Sequence, residues 1–193
     1  MPRLAVAPAC LSLPVPGLLG QAVGKTGGMA MALRGLAGKA VLVTGAAGGI
    51  GAATVRRLLD EDCRVLAMDR DAAGLELLGA DAPPANLRLR AGDVSDENSV
   101  HDAAQECVSA FGGLDLCFAN AGILGVRVPI AEMSLAQFDA VHAVNVRGVF
   151  LTLRAALHRM IAQGTGGAIV CTASVGGLRG FRNSAAYGSL PSR

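Results

Sequence analysis

The 193-residue chain has no tryptophan, one tyrosine and two lysines, and no acidic residue precedes Asp60. Charged residues make up only 17% of it, and the formal net charge is +2. Since acidic and basic residues are interleaved after residue 60, no basic face for nucleic acid is predicted. Prolines at positions 2, 8, 14 and 16 interrupt the early apolar stretch, which argues against a membrane-spanning helix. With 52% hydrophobic residues, the composition predicts one globular domain.

The cysteines are odd in number, form no C-x-x-C pair and lie mostly in apolar segments: Cys10, Cys63, Cys107, Cys117 and Cys171. This pattern favours buried thiols in a reducing compartment over disulfide or metal chemistry. We therefore expect a cytoplasmic protein without a metal site.

Residues 1–34 differ from the rest of the chain. Met29 and Met31 stand directly before the segment that leads into the first predicted strand. We predict an extension over 1–34 that is disordered or precedes the true start of the protein, followed by a nucleotide-binding domain over 35–193. Because Arg3, Lys25 and Arg34 supply positive charge without acid, a secretory or organellar targeting peptide is the alternative.

From residue 39 onward, short apolar runs alternate with segments of helical periodicity. The runs predict strands at Ala40–Thr44, Arg64–Met68, Leu87–Ala91, Leu114–Ala119 and Ala168–Ala173. The helical segments are Gly51–Leu59, Ala72–Leu78, Glu97–Phe111 and Leu135–Met160, with Asp71, Ser95 and Ser134 as expected N-caps. Strand followed by helix, repeated four times, predicts an α/β fold: a Rossmann-like, doubly wound parallel sheet.

A glycine-rich turn, T-G-A-A-G-G-I-G at residues 44–51, links the first of these strands to its helix. Gly45 permits a tight turn out of the strand, Gly49 leaves room for a pyrophosphate, and Gly51 lets the helix pack close to the sheet. A simple glycine-rich turn is the alternative. The strand before it and the helix after it favour a dinucleotide site.

An acidic residue, Asp69, ends the second of these strands. A carboxylate there can accept hydrogen bonds from both ribose hydroxyls of adenosine and would repel a 2′-phosphate, which favours NAD over NADP. Arg70 beside it could tolerate a phosphate, so NADP is the weaker alternative.

From about Leu36 to Gly188 these motifs resemble the short-chain dehydrogenase/reductase family. Asp93-Val94, Asn120-Ala121-Gly122, Asn145, and Ser174 with Tyr187 thirteen residues later all occupy positions that match the family's pattern. The resemblance implies an NAD-dependent oxidoreductase that acts on a secondary alcohol or ketone, with homo-oligomeric full-length relatives. It also implies contacts with the cofactor at Gly45, Gly49, Ile50, Gly51, Asp69, Asp93, Val94, Asn120, Ala121 and Gly122.

The chemistry of the residues agrees with this expectation. Hydride transfer at a carbinol carbon needs a group that gives or takes the proton of the oxygen, and Tyr187 can do so. Ser174 would donate to the substrate oxygen, while Asn145 would hold a water in the proton path. The alternatives are a packing tyrosine, a serine that merely ends a strand and a solvated helix residue.

One position departs from the family's pattern. Family members carry a lysine four residues after the tyrosine, which makes the phenol easier to ionise, whereas this chain has Pro191 and ends at Arg193. We expect a domain that is incomplete at its C-terminal edge, through a shifted reading frame or an alternative end. Its activity is therefore in question, and the alternatives are a non-catalytic NAD-binding fragment or an inactive product. The strand near residues 167–172 is expected to form an exposed sheet edge.

Overall fold

Six parallel strands form one sheet in the computed structural model, which describes the backbone of residues 5–6 together with residues 35–80 and 85–189. In chain order the strands are β1 (Ala5–Val6), β2 (Ala40–Thr44), β3 (Arg64–Asp69), β4 (Leu87–Ala91), β5 (Leu116–Ala119) and β6 (Ala168–Cys171). Across the sheet their order is β1-β6-β5-β2-β3-β4. The winding direction therefore reverses between β2 and β5, where ligands bind in doubly wound sheets.

Helices cover both faces of this sheet. They are α1 (Gly49–Asp60), α2 (Ala72–Gly79), α3 (Glu97–Phe111), α4 (Leu135–His142), α5 (Val149–Gln163) and α6 (Ala185–Gly188). Along β2 the side chains alternate between the two layers, since Leu42 packs in the core with α3 and α5 while Val41 and Val43 pack in the core with α1 and α2. An apolar run covered on both faces explains why β2 was predictable, and the doubly wound fold is confirmed.

The segment predicted as one helix over Leu135–Met160 is interrupted by a π-helix at Ala143–Gly148. There Gly148 lies against Val94, and a Cβ at Gly148 would come 2.7 Å from Val94 Cγ2. The wider π-turn places Asn145 beside the loop that follows β5. Such π-turns are rare in proteins overall. Where they do occur, they often lie at functional sites.

Two of the three expected N-caps are confirmed. Asp71 accepts from Gly74 N at 3.0 Å, and Ser134 forms a full capping box with Gln137. The expectation for Ser95 is wrong, because Asp96 caps α3 by accepting from Ser99 N at 2.8 Å. Ser95 lies one residue before this cap, and its backbone N–H donates to Asp93 Oδ1.

The expectation that β6 forms an exposed edge of the sheet is partly wrong. Ala5 and Val6 of β1 pair in parallel with Ala168 and Ile169, so the first half of β6 has a strand on both sides. Part of the predicted extension therefore belongs to the sheet. The expectation of disorder or targeting for the remainder of residues 1–34 lies outside the described residues, as do Pro191 and Arg193.

Among the described residues, no helix is both long and apolar enough to cross a membrane. The same residues contain no cluster of three or more histidine, cysteine or acidic side chains suited to a metal ion.

The capping box of α4 gives a test of this part of the fold. Ser134→Ala removes the acceptor for Gln137 N, which lies 3.2 Å from Ser134 Oγ, and should lower the free energy of unfolding by about 1 kcal/mol. Ser134→Asp keeps an acceptor and should retain most of the stability. Urea denaturation followed by circular dichroism measures both; an unchanged midpoint and slope for Ser134→Ala would contradict the role of the cap.

Candidate functional site

The carboxyl ends of β2 and β5 meet at the reversal of the sheet. Gly45 follows β2 with a left-handed φ of 67°, and a Cβ there would lie 2.7 Å from Ala121 Cα. A side chain at this position would collide with backbone, so the turn requires glycine on conformational and steric grounds. The structure thus brings Gly45 together with the Asn120-Ala121-Gly122 segment.

The start of α1 packs directly on this turn. A Cβ at Gly51 would lie 2.0 Å from the carbonyl oxygen of Gly45, whereas a Cβ at Gly49 would meet nothing within 4 Å. Gly48 provides no side-chain cap, and Ile50 is half exposed. Open space at Gly49 beside the uncapped N–H groups of a helix N-terminus fits a diphosphate group.

Asn120 joins the ends of three neighbouring strands. Its Nδ2 donates to the carbonyl oxygens of Thr44 (3.3 Å) and Gly45 (3.2 Å), while its Oδ1 accepts from Thr172 Oγ1 at 2.8 Å. The buried Thr44 hydroxyl accepts from the backbone N–H groups of Asn120 and Ala121, at 3.1 and 3.3 Å. This cluster holds the glycine turn against the segment that follows β5.

Asp69 ends β3 and reaches the same turn. Its Oδ2 accepts from Ala47 N at 2.9 Å, and its Oδ1 accepts from Asp71 N at 3.0 Å. Each carboxylate oxygen has a further lone pair, so both can still accept a hydroxyl group. The predicted ribose-binding acid therefore lies beside the diphosphate turn, where an adenosine would extend from it.

Asp93 and Val94 follow β4 on the adjacent rim. Asp93 is exposed, and its pKa is lowered mainly because Ser95 N donates to it, with the positive charges of Arg70 and Arg147 adding to the effect. Val94 is buried against Gly148. This pair of predicted cofactor contacts thus offers an ionised carboxylate at the surface and an apolar side chain that packs on the π-helix.

Asn145 is held by the backbone of Ile123. Its Oδ1 accepts from Ile123 N and its Nδ2 donates to Ile123 O, both at 2.9 Å. A Cβ at Gly122 would lie 3.5 Å from Asn145 Oδ1, so this amide supports the segment that follows β5. Because both ends of the amide bind main chain, its predicted hold on a water in the proton path stays a prediction.

Ser174 and Tyr187 converge on Gly176. Ser174 Oγ accepts from Gly176 N at 3.0 Å, and the space at Gly176 is filled by the Tyr187 ring, whose Cε1 would lie 2.7 Å from an added Cβ. Ser174 therefore keeps its own hydroxyl hydrogen for donation. Tyr187 is half buried, and its hydroxyl has no hydrogen-bond partner among residues 35–80 and 85–189.

Sequence reasoning missed Thr44 and Thr172 as supports of the site. Both are polar residues at the carboxyl ends of apolar strand segments, which was the available signal. No lysine substitutes for the family's lysine within the described ranges. Lys39 alone occurs there, and its ion pair with Asp115 (3.3 Å) lies at the amino end of β2, roughly 16 Å along the strand from the turn.

Several thiols among the described residues have raised pKa values. Cys107 and Cys117 are buried, and burial raises the pKa of both thiols, that of Cys107 to about 12. Desolvation also raises the pKa of the half-buried Cys171 at the end of β6. These side chains are therefore protonated, weakly nucleophilic packing groups at neutral pH.

Two named relatives match about three quarters of this chain in sequence. The levodione reductase of Leifsonia aquatica is 40% identical over 153 residues, which is 77% of this chain and 57% of that protein. A 2,5-dichloro-2,5-cyclohexadiene-1,4-diol dehydrogenase of Sphingobium indicum is 40% identical over 146 residues, or 75% of this chain and 58% of the relative. The chain thus spans less than two thirds of the length of these relatives.

Solved structures and a family model agree with these matches. The crystal structure of levodione reductase superposes with a TM-score of 0.75 at 39% identity, covering 79% of this chain and 60% of that chain. An NAD+-bound xylitol dehydrogenase gives a TM-score of 0.75 at 36% identity, covering 81% and 60%. The family model described as short chain dehydrogenase matches residues 39–189. With its glycine turn, strand-end acid and Ser174–Tyr187 pair in one such domain, the chain belongs to the short-chain dehydrogenase family.

Proposed function

We propose that this protein is an NAD-dependent oxidoreductase that interconverts a secondary alcohol and a ketone. The observation that carries the proposal is the convergence of Ser174 and Tyr187 on Gly176, at the carboxyl edge of the sheet that also carries the dinucleotide turn. Levodione reductase and the dichlorocyclohexadiene-diol dehydrogenase, which are named for redox reactions, are similar to it in sequence.

The donors and acceptors of the site fit NAD. Open space at Gly49 and the uncapped start of α1 would receive the diphosphate, while Asp69 would accept the ribose hydroxyls and repel a 2′-phosphate. Asp93, Val94 and the residues Asn120, Ala121 and Gly122 would border the adenine and nicotinamide ends. The NAD+ in the related xylitol dehydrogenase structure supports this choice, with NADP as the weaker alternative.

The bound nicotinamide would supply or accept the hydride at the carbinol carbon. Ser174 would donate its free hydroxyl hydrogen to the substrate oxygen and so fix the direction of that oxygen. The phenol of Tyr187, which has no other partner among the described residues, would give the oxygen its proton during reduction and take it back during oxidation. Asn145 would steady the segment that follows β5 through its two bonds to Ile123, and a water at this residue would extend the proton path.

The surroundings of the protein follow from other features. The four cysteines among the described residues are unpaired and buried or half-buried, which suits a reducing compartment, so we infer a cytoplasmic location. The outer face of α5 exposes Phe150 and Ile161, which are 57% and 76% accessible, and apolar surface of this kind suits contact between subunits. Homo-oligomerisation, as expected for full-length relatives, stays a prediction.

The first test concerns cofactor binding. Gly49→Ala adds a Cβ where the protein itself leaves open space, so the variant should fold normally but weaken NADH binding roughly tenfold by occupying the diphosphate position. Gly113→Ala is the matched control, since its Cβ would meet only Gln163 Oε1 at 3.4 Å, at the amino end of β5. NADH fluorescence titration gives both affinities. Equal affinity for Gly49→Ala and wild type would contradict the assigned position.

The second test separates binding from catalysis. With NAD+ and a panel of secondary alcohols, including six-membered-ring diols, Tyr187→Phe should lower the steady-state rate by about 100-fold or more because the group that takes the proton of the alcohol is lost. The same variant should bind NADH within about twofold of wild type, because the ring keeps its contact with Gly176. NADH absorbance at saturating cofactor measures the rate. A wild-type chain that binds NADH without turnover on any alcohol or ketone would instead support a non-catalytic NAD-binding protein.

A further inference from the structure

We propose that Thr172 is a positioning residue that couples the cofactor turn to the strand carrying Ser174. The inference rests on the proposed NAD-binding function, which it deepens by naming a residue outside the motifs that resemble the family. Thr172 follows β6 and precedes Ser174 by two residues. It would act through Asn120 and touch neither substrate nor cofactor.

Thr172 is bound twice to the end of β5. Its backbone N donates to Ala119 O at 3.1 Å, and its hydroxyl donates to Asn120 Oδ1 at 2.8 Å. The backbone bond continues the parallel ladder and would form with any residue except proline. The hydroxyl bond, in contrast, depends on the threonine side chain. It is the one hydrogen bond that Asn120 Oδ1 makes with the described residues.

The hydroxyl bond determines which way the Asn120 amide faces. Asn120 Nδ2 points at two carbonyl oxygens, those of Thr44 and Gly45, so a flipped amide would set its own oxygen against both. With Thr172 donating to Oδ1, every polar group of the amide is matched. Without that donor, the half-buried Asn120 Oδ1 has no hydrogen-bond partner, and the amide is held less strongly in its present orientation.

The consequence reaches the glycine turn. The carbonyl of Gly45 is one of the two acceptors of Asn120 Nδ2, and it is also the group on which Gly51 packs at the start of α1. A shift of the Asn120 amide therefore moves the surface that would receive the diphosphate. On the other side, Thr172 directs the chain toward Ser174, so one hydroxyl ties the two halves of the site together.

Two substitutions separate this role from packing. Thr172→Val keeps the shape of the side chain and removes the hydroxyl, whereas Thr172→Ser keeps the hydroxyl and removes the methyl group. We expect Thr172→Val to raise the Kd for NADH by roughly three- to tenfold, and Thr172→Ser to stay within about twofold of wild type. A purely packing role predicts the reverse order, because Thr172→Ser would then be the more damaging change.

Hydrogen–deuterium exchange supplies a readout that does not depend on NADH. In the cofactor-free protein, Thr172→Val should speed amide exchange in the peptides that contain Ala46-Ala47 and Asn120-Ala121, and Thr172→Ser should not. If Thr172→Val fails to fold, Thr172→Ala serves as the second hydroxyl-free variant, with the same expected exchange pattern.

The two readouts separate the outcomes. Faster exchange in a hydroxyl-free variant, in a protein that binds no NADH, would support the coupling by Thr172 and overturn the proposed function alone. Unchanged exchange and unchanged NADH affinity in the hydroxyl-free variants would overturn the role of Thr172 and leave NAD binding intact.

Discussion

Backbone contact between the carboxyl ends of β2 and β5 determines where the rest of the site can lie. The backbone segments that follow these two strands lie so close together at Gly45 and Ala121 that no side chain fits at residue 45. The left-handed turn at Gly45 then carries the chain toward β3, where Ala46 N binds Met68 O at 3.1 Å. Because Gly51 packs on the carbonyl of Gly45, the start of α1 is fixed by the same contact. The surface suited to a diphosphate is therefore formed by main chain.

Asp69 holds the glycine turn and is also the residue proposed to select the cofactor, so the two properties would depend on one side chain. Its Oδ2 accepts from Ala47 N within the glycine turn, and its remaining lone pairs suit ribose hydroxyls. A smaller neutral residue would remove the charge that repels a 2′-phosphate. The same change would leave the N–H of Ala47 without its acceptor, at a cost of about 1–3 kcal/mol if no water replaced it. In the proposed function, cofactor selectivity would thus be tied to the local stability of the glycine turn.

Sequence patterns were informative wherever burial follows chain periodicity. The bounds of β2, β4 and α3 match the prediction, because apolar runs and helical stripes coincide there with regular backbone. They were less informative where a side chain competes with the backbone. Leu114 was expected in β5, but its N–H and C=O bind the amide of Gln163, which lies 49 residues later in the chain, so the strand begins at Leu116. No local pattern announces such a partner.

The π-helix and the pairing of β1 were hidden for a related reason. The interruption at Ala143–Gly148 accompanies the packing of Gly148 on Val94 and the binding of Ile123 by Asn145, and all of these contacts join segments distant in sequence. The site residues themselves were accessible as motifs because their spacing in the chain reflects the position of strand ends. The hydrogen-bonding roles of Thr44 and Thr172 were not, since a threonine within an apolar strand is also common as an ordinary β-branched residue.

The two halves of the site differ in how firmly they are held. The dinucleotide half is braced by three central strands and by the bonds of Asn120, Thr44 and Asp69, all among residues whose positions the core fixes. Tyr187 lies in the four-residue helix α6, and the contact described for its ring is with Gly176. Because the hydrogen bonds that hold the glycine turn among the described residues involve no residue of α6, cofactor affinity and proton transfer would be physically separable in the proposed function. A change near Tyr187 would then abolish turnover while the loop proposed to receive the diphosphate keeps its form.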